Sequence, residues 1–123
     1  MPIRKPTDAE LAILRVLWSR GPSTVRQVAA AMDREAGYTT VLKLLQIMAE
    51  KGLVTRDESA RTHVYESAYT EDQTQQQLVK DLVERAFDGS SAKLVLQALA
   101  SQKATPEELD EIRKLLNTRG GSR

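Results

Sequence analysis

Apolar residues fall at helical spacing along most of this chain, with one interruption where the spacing becomes that of strands. Leu11, Leu14, Leu17 and Trp18 recur at i, i+3, i+6 and i+7, which lines one face of a helix. Thr7-Asp8-Ala9-Glu10 before them reads as a capping box, and Gly21-Pro22 after them ends the helix. Trp18 suits a core anchor better than a ligand platform. Val25, Val28, Ala29 and Met32 form a second stripe, capped by Ser23 or by Thr24 with Gln27 three residues on. That helix breaks around Arg34 to Gly37. A third helix is expected between Gly37 and Gly52, with Val41, Leu45 and Met48 on its buried side. Lys51-Gly52 suits its exit, since Lys favours the negative end of a helix and Gly tolerates a left-handed cap.

The period then changes. Leu53 to Arg56 and Thr62 to Glu66 are β-prone, and Asp57 to Ala60 between them is turn-like. From Glu71 the helical spacing returns, with Leu78, Val79, Leu82, Val83, Ala86 and Phe87 on one stripe. Asp88 to Ser91 breaks it, and Leu94, Val95, Ala98 and Leu99 make a shorter helix. Thr105-Pro106-Glu107-Glu108 is a strong helix start: a Thr cap, Pro at the first helical position and Glu at the third. Leu109, Ile112, Leu115 and Leu116 follow on one face, and the chain after Asn117 reads as a frayed tail.

The order of elements predicts a mainly α (α+β) chain: a winged helix-turn-helix domain over 1–69, a helical dimerisation region over 70–117 and a flexible tail over 118–123. In that arrangement the second helix braces the third, and the third enters the major groove of DNA. The candidate DNA contacts are Thr39, Thr40, Lys43, Leu44, Gln46 and Ile47 on the third helix, and Arg61 near the tip of the hairpin. Taken alone, the third helix fits a plain core helix equally well, and Arg61 fits a solvated loop charge. The last three helices carry many large apolar residues in a short span, too few to hold a free-standing core. Leu78, Leu82, Val83, Phe87, Leu94, Val95, Leu99, Leu109, Ile112, Leu115 and Leu116 are therefore expected to meet a second copy, a two-fold dimer being the commonest solution.

Charge narrows the picture little. The 123 residues carry 18 Lys and Arg against 17 Asp and Glu. Up to Glu66 there are ten basic residues against eight acidic, and after it eight against nine. Affinity for DNA must then come from where cations are placed rather than from bulk charge. There is no cysteine, which removes disulfides, thiolate catalysis and thiolate metal sites. His63 is the single histidine and supplies no metal site by itself. There is also no glycine-rich phosphate loop, so neither an enzyme nor a cofactor or metal is expected. The start of the chain is too short and polar for a signal peptide, and no run is long enough to span a membrane, which predicts a cytoplasmic protein.

Several stretches together resemble the penicillinase-repressor family of bacterial transcriptional repressors, the BlaI, MecI and CopY type. They are Thr7-Asp8-Ala9-Glu10-Leu11 with Leu17-Trp18, then Tyr38-Thr39-Thr40-Val41-Leu42, then Glu50-Lys51-Gly52-Leu53-Val54, then Arg61 through Tyr65. The resemblance covers nearly the whole chain. It implies an N-terminal winged helix, a C-terminal dimerisation region, an inverted-repeat operator and repression of nearby genes. In well-known members it also implies a membrane sensor-protease whose signal leads to cleavage of the repressor. This chain departs from the pattern in three places. Gln97-Ala98 stands where those members have the cleaved Asn-Phe bond. The cysteines of the copper-sensing branch are missing. Ile47 stands where members often carry an Arg. Two other functions fit the same elements: a winged-helix protein-docking module, and a regulator that responds to a small molecule.

Overall fold

The computed structural model describes residues 5–32, 37–101 and 103–121. Helix α1 spans Asp8–Arg20, and strand β1, Ser23–Thr24, leads directly into helix α2, Val25–Ala31. Helix α3 covers Tyr38–Lys51, and strands β2 (Val54–Asp57) and β3 (Val64–Ser67) form the hairpin. Helices α4 (Glu71–Ala86), α5 (Ser91–Ser101) and α6 (Pro106–Gly121) complete the chain. The break expected around Arg34 lies largely outside the described residues.

Local signals set these boundaries. Thr7 and Glu10 exchange backbone and side-chain bonds of 2.9 and 3.2 Å, closing the capping box of α1. Thr24 and Gln27 close the same box on α2, and Thr105 and Glu108 on α6. A further box, Thr70 with Gln73, opens α4; its T-x-x-Q spacing stands in the sequence but is not among the helix starts expected from it. Gly52 ends α3 at φ 83°, a left-handed conformation that side chains with a Cβ adopt at a cost.

The sheet has three strands, not the two read from the sequence. Its order is β1-β3-β2, antiparallel throughout, with Ser23 opposite Tyr65 and Arg56 also opposite Tyr65. A strand of two residues has no period of its own; only its partner defines it. β1 ties the start of α2 to the hairpin, so the wing is anchored to the helix-turn-helix.

One core gathers α1, α2, α3 and the sheet: Ile13, Leu14, Leu17, Val25, Val28, Val41, Leu45, Met48, Leu53, Val54 and Tyr65. Ile13 lies at its centre, whereas the stripe read from the sequence runs through Leu11 and Trp18, which pack at its edge. Trp18 still anchors: its Nε1 donates to Ser67 Oγ at 2.9 Å and to the Tyr69 carbonyl at 3.1 Å.

The chain forms two compact units, Met1–Lys80 and Asp81–Arg123. The division falls inside α4, whereas the sequence reading divides at 69/70. In the first unit Thr74, in the opening turns of α4, is buried. In the second unit α6 continues through Gly121, so the tail expected from Thr118 is helical as far as that residue. Thr118 Oγ1 donates to the Lys114 carbonyl at 3.0 Å, and extending a formed helix costs little compared with starting one.

Candidate nucleic-acid interface

Helix α3 is amphipathic along its whole length. Val41, Leu45 and Met48 are each fully buried. On the opposite side Thr39, Lys43, Gln46 and Glu50 are exposed at i, i+4, i+7 and i+11, one above another. Three of these four are residues the sequence nominates for DNA. Glu50 is the one it passes over, although the same spacing points to it. A carboxylate there repels phosphate but can accept from the amino group of cytosine.

The other nominated residues lie away from that line. Thr40 is exposed and Leu44 is half-buried on the flank of α3 that faces α1. Both line an open, mostly apolar cleft with Ala12 and Val16 of α1 and Met32 after α2. Leu44 also packs against the core, which tempers its expected place on the outward face. The reason is the turn of the helix: at about 100° per residue, Leu44 points between the buried line and the exposed line. Ile47 is half-buried. Arg61 is exposed in the turn of the hairpin.

Charges in this unit divide into committed and uncommitted. Lys43 and Arg61 make no ion pair among the described residues. Arg56 is committed: it pairs with Glu58 at 2.7 Å, and bonds with Tyr65 and Glu58 hold its guanidinium pKa up. Asp57 accepts the Ser59 N–H at 2.9 Å and fixes the start of the wing turn. His63 is half-buried just before β3 rather than within it.

Lys51 is committed too. Its Nζ lies 2.9 and 2.8 Å from the two carboxylate oxygens of Glu10, which is 2 % exposed. From the sequence, Glu10 is expected to make only its capping bond and Lys51 only to favour the helix end. Together they pin the start of α1 to the end of α3. Burial alone would raise the Glu10 pKa, but the bonds from Lys51 and Thr7 outweigh it, and the carboxyl sits below its ordinary value. Lys51→Met leaves that carboxylate buried without its cation and should cost about 1.5–3 kcal/mol in urea denaturation at neutral pH. A lowered carboxyl pKa stabilises the fold above the unfolded value of about 4.3 and stops doing so as pH falls through the folded value. The deficit of the variant should therefore shrink below about pH 4. An unchanged deficit there would contradict the pairing.

The residues expected to form a dimer surface separate clearly. Leu82, Val95, Leu99, Leu115 and Leu116 are exposed; Leu78, Phe87, Leu94, Leu109 and Ile112 are half-buried; Val83 is buried. Leu96, which the sequence reading leaves out, is the most exposed large hydrophobic among the described residues at 68 %. Among the described residues no group of three or more His, Asp or Glu is placed to hold a metal ion, and no helix is long and apolar enough to cross a membrane.

Known proteins share this sequence pattern and this fold. The profile of the family described as penicillinase repressor matches residues 6–118. The transcriptional regulator BlaI of Mycobacterium tuberculosis is 35 % identical over 112 residues, covering 89 % of this chain and 80 % of that protein. The penicillinase repressor of Staphylococcus aureus is 21 % identical over 111 residues, covering 89 % and 88 %. Among solved structures, the DNA-binding domain of the repressor BlaI matches with a TM-score of 0.50 at 23 % identity, over 58 % of this chain and 90 % of that one. The transcriptional regulator Tm0710 from Thermotoga maritima matches with a TM-score of 0.51 at 15 % identity, over 95 % and 78 %. These two likenesses speak for the fold.

Proposed function

The chain belongs to the penicillinase repressor family, and we propose that it works as a dimer that grips an inverted-repeat operator with two copies of its winged helix. As a member of that family it is a DNA-binding transcriptional repressor and not an enzyme. The observation that carries the finer reading is the exposed line on α3, Thr39, Lys43 and Gln46, opposite a fully buried one. α2 braces α3 from behind, and α3 lies in the major groove. Lys43 meets a phosphate, and Thr39, Thr40 and Gln46 offer hydroxyl and amide groups to base edges. Ile47 can give only apolar contact, for instance with a thymine methyl. Arg61 reaches a phosphate from the wing. The repressor acts in the cytoplasm.

Two copies are needed because one winged helix reads only a half-site. Operator half-sites one helical turn apart, about 34 Å, would seat two α3 helices on one face of the duplex. The apolar residues left open on α5 and α6 supply the joining surface. Release follows from an inducing signal, and a cut between Gln97 and Ala98 by a membrane sensor-protease is one such signal. Both residues are exposed, in the middle of α5.

Lys43→Ala tests the reading of α3. It should weaken binding to specific and non-specific duplexes alike and lower the slope of log affinity against log salt by about one. A variant that altered one base preference and kept the full salt slope would remove Lys43 from the phosphate backbone.

A further inference from the structure

The exposed line on α3 leaves a neighbouring pair without a purpose. Tyr38, in the first turn of α3, is 49 % exposed, and among the described residues it is the only large hydrophobic that exposed before α4. The guanidinium carbon of Arg26, on α2, lies 5.7 Å from the centre of its ring. The Arg26 side chain is itself exposed and makes no ion pair or hydrogen bond among the described residues.

At that distance the ring attracts the guanidinium and leaves its donors available. The attraction favours one placement of the side chain, so less freedom is lost when those donors meet an acceptor. The guanidinium presents a planar, charged fork, the shape that matches phosphate oxygens. Its place supports the same partner. α2 is the first helix of the helix-turn-helix, the one that crosses the DNA backbone while the second lies in the groove. The chain also needs such a residue: with a formal net charge of only +1, its affinity for DNA rests on individually placed cations.

We infer that Arg26, held in place by the Tyr38 ring, clamps a phosphate of the DNA backbone at the edge of the groove that α3 occupies. This rests on the repressor reading above and adds to it a positioning contact from outside the recognition helix. The clamp carries no sequence information. It fixes where α3 sits and so acts on every duplex equally.

The test compares the full-length protein with Arg26→Ala, Arg26→Lys, Tyr38→Phe and Tyr38→Ala. Each is titrated against the duplex upstream of its own gene and against a scrambled duplex, at several salt concentrations, with thermal melting in parallel. Arg26→Ala should melt like the parent and lose about fivefold in affinity for both duplexes near 0.15 M salt, with the salt slope lower by about one, as one fewer counterion is released. Arg26→Lys should restore the slope, because it restores the charge. Tyr38→Phe should bind like the parent. Tyr38→Ala should keep the slope but lose affinity, because the charge remains and its placement does not. A parent-like slope in Arg26→Ala would overturn the clamp while leaving the repressor reading standing. So would a loss confined to one duplex, or one explained by a lower melting temperature. If the parent shows no salt-sensitive binding and no preference between the duplexes, both the repressor reading and the clamp fall.

Discussion

Replacing Leu115 and Leu116 together by Lys should leave the winged helix folded, convert the proposed dimer to monomers and cut operator affinity by roughly 10²–10⁴-fold. Both side chains are 58 and 60 % exposed, so neither holds its own protomer together. Within the unit from Asp81 onward Val83 is the only buried large hydrophobic among the described residues, while Val95, Leu96 and Leu99 on α5 lie open with the two leucines of α6. Monomeric proteins rarely leave contiguous apolar areas above a few hundred Å² in water. Two lysines placed in such a surface would be desolvated and set against their own copies across a two-fold axis, where like charges repel. The affinity falls because the two half-sites are no longer tethered: the second winged helix loses the high effective concentration that the first gives it. Sedimentation measures the first effect and operator titration the second. A variant that remained dimeric would place the joining surface elsewhere.

Leu45→Ala is expected to be the most damaging single substitution in the winged helix, at about 3–5 kcal/mol. Leu45 is fully buried in the middle of α3, between Val41 and Met48 on the same line. Its removal leaves a cavity in the core that α1, α2, α3 and the sheet share; β1 ties α2 to the hairpin and Glu10 with Lys51 ties α1 to α3, so these elements cannot easily collapse into it. The adjoining Gln46→Ala, on the exposed line, should change stability by less than about 0.5 kcal/mol. Urea denaturation of the two variants side by side separates the roles of the two faces. Equal effects would mean that α3 is not divided into a structural and a reading side.

What the sequence revealed and what it concealed follow a physical rule. Capping boxes are made by residues three apart, so Thr7 with Glu10, Thr24 with Gln27 and Thr105 with Glu108 were legible without knowledge of the fold. The buried line of α3 was legible for the same reason, as period and burial are linked along one helix. The resemblance to a repressor family rested on those stretches and led to the family that the comparisons show. Pairings across the fold were not legible. β1 exists only because Ser23 and Thr24 meet Tyr65 and Val64. Glu10 finds Lys51 forty-one residues away, although each residue already had a sufficient local explanation. Arg26 and Tyr38 meet between two helices whose relative placement no periodicity encodes. Ile13 and Leu44 show a finer limit: a stripe fixes which side of a helix is buried, but neighbouring helices decide how wide the buried side becomes.

If α3, doubled by dimerisation, reads an inverted repeat, the protein must tell its operator from other DNA. Titrating the purified protein against the duplex upstream of its own gene and against a scrambled duplex of the same composition, from about 50 to 200 mM salt, decides this. Two protomers should bind per palindrome, with a clear preference over the scrambled duplex throughout and an affinity that falls about 10³-fold or more across that range. Equal affinity for the two duplexes at moderate salt, or binding that ignores salt, would contradict it.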